Sequence, residues 1–382
     1  MKKVGLAVCY DTKNFGSQLQ VLATIRKIEE FGFDTEIIRY RKKITPVFLL
    51  QTIPRFFNIP FVKSKLLKRK KTKQIANYPA IYEQVRKRNE RFSGFAEKYF
   101  KHLSVPYCGW ETLVRESAEK YDIFLCGSDQ LWLPHNLGSH FYTLEFAPDD
   151  KPKIAYATSF GVSQIPSYQK KRTEKYLNRF KSLSTREIAG KNIIRNLTGK
   201  DVPVVCDPTL LFNADGWSKM ISDRKVVKEP YIFCYFLGTN PEHRKQAEKL
   251  KKSTGLQLIT CPFLDNFVEM DRNFGDKRLF DIDSEDFVNL IRHADYILTD
   301  SFHGTVFSIL HHKKFLIFDR FAAGSDSRNS RIDSLCELLH LHDRRFKGDV
   351  LRVKKEINYE LAEDSLGKLR EESAGYLRDS LS

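Results

Sequence analysis

The chain has no CxxC pair, no GxGxxG turn, and no apolar run near the roughly 18 to 20 residues that cross a bilayer. Each absence removes a class of protein. The seven cysteines (Cys9, Cys108, Cys126, Cys206, Cys234, Cys261 and Cys336) are scattered and odd in number. They argue against a disulfide framework or a zinc ribbon, and for buried thiols in a reducing compartment. No spacing of His, Cys, Asp and Glu suits a metal, so neither a metal nor a cofactor is expected. Without a glycine fingerprint in the first strand-to-helix turn, a bound dinucleotide is not expected either. Met1, Lys2 and Lys3 carry the charge of a signal peptide, but the apolar run that follows at 4–9 is too short for one. A first β-strand in a cytoplasmic chain is the better reading. Acidic residues are also missing, entirely, between Glu36 and Glu83.

That gap locates the charge. The chain of 382 residues carries 64 Lys and Arg against 48 Asp and Glu, a formal net charge of +16, and much of the excess lies at 39–73. There the bases alternate with Phe48, Leu49, Ile53, Phe56, Phe57, Ile59 and Phe61, which suits an anionic membrane surface better than a nucleic-acid duplex. A solvated insertion is the other reading. No helix-turn-helix, RNP or zinc-finger signature accompanies the charge, so nucleic acid is not an expected partner. Elsewhere 29 Phe and a hydrophobic content of 41% supply enough core for two domains.

Hydrophobic periodicity predicts alternating strands and helices. Strands are expected at 4–10, 35–40, 122–126, 153–158 and 202–206, with helices at 18–31, 78–101 and 172–180. Periodicity fails at 212–230, the expected linker. A second series follows, with strands at 231–237, 256–261, 296–299 and 315–318 and helices at 242–253, 285–294, 305–312 and 331–341. The expected architecture is α/β, with two halves facing a cleft: residues 1–212 with a basic insertion at 39–77, and residues 213–345. A tail at 346–382, amphipathic from 360, is expected to reach back to the first half.

Five polar turns follow the strands, where an open α/β sheet presents its ligand site. In Thr299-Asp300-Ser301-Phe302-His303-Gly304-Thr305 an imidazole sits at a helix start, beside backbone N–H groups that attract anions. His303 is either a general acid or base or a helix-capping residue, and Asp300 either orients it or ends a strand. Arg186, after Ser184-Thr185, offers a fork for carboxylate or phosphate, or pairs with Glu187. Gly127-Ser128-Asp129-Gln130 can wrap a ligand, with Trp132 stacked on a sugar or simply buried. Gly16, Ser17 and Gln18 open the first helix, as ligand contacts or as a cap. Asp207-Pro208-Thr209 is read as a strand stop, and Arg320, Arg328 and Arg331 as cations available to the cleft.

Taken in order, Asn14-Phe15-Gly16-Ser17-Gln18-Leu19-Gln20, Gly127-Ser128-Asp129-Gln130-Leu131-Trp132, Ser184-Thr185-Arg186-Glu187, Asp207-Pro208-Thr209-Leu210-Leu211 and the His303 turn resemble the polysaccharide pyruvyl transferase family. The resemblance implies two Rossmann-like domains, as in GT-B glycosyltransferases. It also implies transfer of pyruvate from phosphoenolpyruvate to two hydroxyls of a sugar as a cyclic ketal, in cell-surface polysaccharide biosynthesis. It aligns His303 with the family's catalytic His and Arg186 with its anion-binding Arg; the helix start at Ser301, Gly304 and Thr305, together with Arg331, is then expected to bind the donor. Gly16, Ser17, Gln18, Ser128, Asp129, Gln130 and Trp132 then fall on the acceptor side of the cleft. Some branches of the family carry Arg where this chain has Ser301, so a second cation must come from Arg331 or Arg320. The basic segment suggests a lipid-linked acceptor met at the inner face of a membrane. Two alternatives stay open: a glycosyltransferase using a sugar nucleotide, and a non-catalytic envelope-assembly or membrane-binding protein.

Overall fold

A computed structural model describes residues 1–43, 62, 66, 78–134, 140–264, 268–320 and 330–382. Most of the basic segment, and Arg328, lie outside the described residues.

The first sheet is built from apolar runs buried on both faces, which is the signature of parallel strands covered by helices. Strands β1 (Lys3–Ala7), β2 (Asp34–Ile37), β5 (Ile123–Cys126), β6 (Lys153–Thr158) and β7 (Ser182–Thr185) lie in the order β2-β1-β5-β6-β7, all parallel. Two short strands, β3 (Tyr40–Arg41) and β4 (Tyr107–Cys108), pair apart from it. Helix α1 (Phe15–Glu30) starts where the Asn14 side chain accepts from Ser17 N at 3.1 Å, and the chain leaves it through Gly32 at φ +83°. Around the same sheet stand α2 (Pro79–Tyr99), α3 (Trp110–Lys120), α4 (Lys170–Asn178) and α5 (Ile188–Thr198).

The second half repeats the plan. After α6 (Ala214–Met220) come β8 (Tyr231–Tyr235), α7 (Pro241–Thr254), β9 (Gln257–Thr260), β10 (Lys277–Arg278), α8 (Ser284–His293), β11 (Tyr296–Thr299), α9 (Phe302–Leu310), β12 (Lys314–Ile317) and α10 (Ser330–Leu338). Their sheet runs β10-β9-β8-β11-β12, again all parallel. Two Rossmann-like sheets thus face each other, as in the GT-B architecture. Phe15 joins them: its ring stacks on Phe287 at 4.9 Å and on Phe92 at 5.0 Å. Beside it Arg91 pairs with Asp283 at 2.8 Å and Asp286 at 2.7 Å.

Helix α11 (Glu360–Leu381) spans the join. His312 of the second half meets Glu363 at 3.0 Å, while Tyr376 Oη donates to Ala155 O of the first half at 3.3 Å. Ser373 Oγ accepts from Cys206 N at 2.9 Å, so the tail fixes the backbone just before Asp207.

Several sequence expectations need correction. The strand expected at 202–206 reduces to one bridge, Val204 to Thr185, because Pro203 withholds a donor and Pro208 ends the run. Inside the expected linker, Asn213 caps α6 and Trp217 is wholly buried against Phe307 at 5.0 Å. One large ring holds a helix that a short polar stretch does not advertise. Helices α3 and α5 were not expected at all. Cys108 is exposed, unlike the other cysteines.

Candidate functional site

Four of the five polar turns open at the carboxyl ends of strands, 8–14 after β1, 127–130 after β5, 186–187 after β7 and 300–303 after β11, and the fifth, at 207–209, follows the bridge between Val204 and Thr185. Their side chains meet across the join.

Asp207 is the centre. It N-caps a short turn by accepting from Thr209 N at 3.1 Å and Oγ1 at 2.7 Å. Its second oxygen accepts from Gln20 Nε2 at 2.5 Å and Arg186 Nη1 at 2.6 Å. His303 Nε2, from the opposite half, stands 3.7 Å from Asp207 Oδ1. Burial alone would raise the Asp207 carboxyl, but His303, then Arg186 and Thr209, outweigh it and hold it far below the usual range. The carboxylate therefore stays ionised.

Arg186, 1% exposed, spans two carboxylates: besides Asp207 it reaches Asp129 Oδ1 at 3.3 Å. Its Nε lies 4.0 Å from Glu187 Oε2, and Glu187 Oε1 accepts from Ser159 Oγ at 2.6 Å. Ser128 Oγ donates to Ala157 O at 2.9 Å and accepts from Gln20 at 3.3 Å. Asp129, a non-glycine residue at φ +83°, takes Ser17 Oγ at 3.0 Å.

Two cations lie close to the Phe302 ring. The guanidinium of Arg186 is 5.3 Å from its ring centre and that of Arg331 is 5.5 Å away. Burial, then repulsion from Arg186, pushes the Arg331 pKa down to about 10. Arg331 Nε and His303 Nε2 are both buried without a hydrogen-bond partner among the described residues. Two crowded cations and unmet donors are the environment an anion stabilises.

A span of residues from 14 to 320 matches the model of the polysaccharide pyruvyl transferase family. The chain belongs to that family. Its fold is also similar to solved structures. A putative UDP-N-acetylglucosamine 2-epimerase of Listeria monocytogenes is 11% identical with a TM-score of 0.51, over 99% of this chain and 90% of that one. The UDP-GlcNAc 2-epimerase of Methanocaldococcus jannaschii in complex with UDP-GlcNAc and UDP is 11% identical with a TM-score of 0.47, over 97% and 99%. No curated protein matched.

Of the residues singled out in the sequence, the structure gathers His303, Arg186, Arg331, Gly16, Ser17, Ser128 and Asp129 in one cluster. Four sequence assignments come out differently. Asp300 faces away, accepting from Leu237 N at 2.7 Å and Gly238 N at 2.8 Å, so it secures the end of β8 and does not orient His303. Trp132 is fully buried, donates to Tyr142 O at 3.0 Å, and has no face for a sugar. Gln18 spends its amide on Phe92 O at 2.9 Å and Ser284 Oγ at 2.8 Å, tying the halves together. Gln130 turns its amide toward Gly161. Ser301 and Thr305 also serve α9 itself: Ser301 Oγ accepts from Gly304 N at 3.3 Å, and Thr305 Oγ1 donates to Ser301 O at 3.1 Å.

Asp207, Gln20 and Phe302 were missed. Gln18 and Gln20 point to opposite sides of α1, as residues two apart on a helix must, and only the tertiary contact tells which faces the site. Among the described residues no group of three or more His, Cys, Asp and Glu side chains suits a metal. No described helix is long and apolar enough to cross a membrane.

Gly16 shows how closely the halves meet. A Cβ there would stand 1.9 Å from His303 Nδ1. Gly16→Ala is expected to displace the imidazole and lower turnover about 10²-fold, at a cost of about 1–3 kcal/mol in stability. Steady-state rates beside melting curves check this, and undiminished turnover would mean that the ring is not used where it sits.

Proposed function

We propose that this protein transfers the pyruvyl group of phosphoenolpyruvate to two hydroxyls of a sugar as a cyclic ketal, in building a cell-surface polysaccharide. The supporting observation is the pair of guanidiniums near the Phe302 ring, beside His303 and the ionised Asp207. Phosphoenolpyruvate carries a carboxylate and a phosphate close together, and two convergent cations match that charge. Arg331 takes the place of the cation absent at Ser301. In this reading 1–212 and 213–345 are the two domains that enclose the donor, and 346–382 braces them.

His303 gives a proton to the methylene carbon of the enol, and positive charge develops at the ester carbon as a sugar hydroxyl attacks it. Asp207, fixed by Gln20, Thr209 and Arg186, faces Nε2 and stabilises the protonated ring. Arg186 and Arg331 hold the anionic groups as phosphate departs. The first experiment is phosphate release from phosphoenolpyruvate against a panel of lipid-linked and nucleotide-linked sugars, with thermal shifts by donor and by nucleoside diphosphates. Acceptor-dependent release supports the reading. Silence across the panel, with stabilisation only by a nucleoside diphosphate, would instead mark a glycosyltransferase.

The cations at 39–73, read from the sequence, support work at the inner face of a membrane on a lipid-linked acceptor. Sedimentation with anionic vesicles, weakening as salt rises, is the expected behaviour. Binding indifferent to salt or to lipid charge would remove that part of the proposal.

A further inference from the structure

Three carboxylates serve this cluster, and they are not equivalent. The Asp207 side chain is 0% exposed and that of Glu187 is 3%, whereas Asp129 is 29% exposed. Only Asp129 reaches solvent. Its Oδ1 is occupied by Gln130 N at 2.8 Å and Arg186 at 3.3 Å, but among the described residues Oδ2 accepts only from Ser17 Oγ at 3.0 Å. A carboxylate oxygen has two lone pairs, so Oδ2 can take a second donor. The backbone at φ +83° is an uncommon conformation for a residue other than glycine, and such positions concentrate where a side chain must be aimed.

His303 and Asp129 also share a floor. Gly16 lies against the imidazole and Ser17, the next residue, holds the carboxylate, so the first turn of α1 sets the two groups side by side. Around Asp129 stand Arg186, Arg331, His303, Cys9 and Tyr142. Burial alone would raise its carboxyl, but Arg186 and then Arg331 keep it below the ordinary value. It is therefore an ionised acceptor at neutral pH.

We infer that Asp129 is the base that takes the proton of the attacking sugar hydroxyl, the partner of His303 acting as acid. This rests on the pyruvyl transfer proposed above. In the first half the hydroxyl oxygen bonds the ester carbon and its proton passes to Asp129, while the double-bond electrons take the proton of His303 and form a methyl group. In the second half the carbon–oxygen bond to phosphate breaks, and the departing phosphate takes the proton from Asp129. The second hydroxyl bonds the same carbon and returns its proton to His303. Each group ends as it began, and the products are the ketal and inorganic phosphate.

The test uses Asp129→Gly, which suits the positive φ and leaves room for a small carboxylate, and Asp129→Asn, which keeps the Ser17 bond and tolerates the same backbone. Expected is a fall of about 10²–10⁴-fold in acceptor-dependent phosphate release for both, with melting temperature and the thermal shift by phosphoenolpyruvate near wild type. Added formate should restore Asp129→Gly about tenfold or more and leave Asp129→Asn unchanged, since only the former has space for the missing base. A merely structural role would not respond to formate. Activity near wild type in either variant, or an inactive Asp129→Gly that formate does not restore, overturns the inference while the transfer reading stands. A wild type that releases no phosphate from phosphoenolpyruvate overturns both.

Discussion

His303→Ala is expected to lower acceptor-dependent phosphate release by about 10²–10⁴-fold while the melting temperature and phosphoenolpyruvate affinity change little. The separation follows from where the ring sits. It is 11% exposed, and its near polar neighbour, Asp207 Oδ1 at 3.7 Å, keeps Thr209, and at its other oxygen Gln20 and Arg186, when the imidazole is gone. The buried carboxylate loses the nearby imidazole but keeps its hydrogen bonds from Thr209, Gln20 and Arg186, and the fold loses one partly enclosed ring. The chemical step loses its proton donor. Single-turnover release beside a donor titration followed by thermal shift measures the two quantities in one preparation. Turnover near wild type would take His303 out of the mechanism, and lost donor affinity with intact turnover per bound donor would make it a binding residue.

Arg186→Met should act in the opposite way, on stability first. Arg186 neutralises Asp207 at 2.6 Å from within the core, and removing one partner of a buried pair strands the other at a cost of about 3–5 kcal/mol. The pH dependence carries a definite sign. In the wild type Asp207 titrates below its ordinary value of 3.8, so its contribution is fully present above that pH and is lost as pH falls toward the lowered folded value. In Arg186→Met burial opposes the charge with less help, so the folded value rises, and the penalty grows as pH climbs through it. The gap between the two denaturation midpoints should accordingly be widest near neutral pH and narrow toward acid. Donor affinity should fall as well, since one of the two cations beside Phe302 is gone. An equal gap at every pH would show that Asp207 is not the group Arg186 compensates.

How much of this could be read before folding differs from residue to residue. The strands at 153–158 and 296–299 and the tail helix are apolar or amphipathic runs with clear ends, and they appear in the structure with the expected bounds. The strand at 202–206 and the linker at 212–230 misled, because two prolines and one tryptophan overrule a short local pattern there. His303 and Arg186 were singled out because titratable and forked side chains stand at strand-to-helix turns. Asp207 reads as a strand stop, and in the structure it caps the turn that follows by accepting from Thr209 N. Its second oxygen facing Arg186 and Gln20 is what the linear pattern does not show.

The sequence by itself determined the alternation of strand and helix in two series, the polar turns between them, and the family to which they belong. Those are properties of neighbours along the chain, where periodicity, caps and breakers act. Tertiary structure alone decided that Asp207 and not Asp300 faces His303, that Trp132 is interior, that Arg331 joins Arg186 beside Phe302, and that Asp129 alone among the cluster's carboxylates meets solvent. A turn residue can point to either side of its sheet at little local cost. Which side it takes is settled by the close meeting of two halves, where Gly16 yields its place to an imidazole and every buried charge must find its partner.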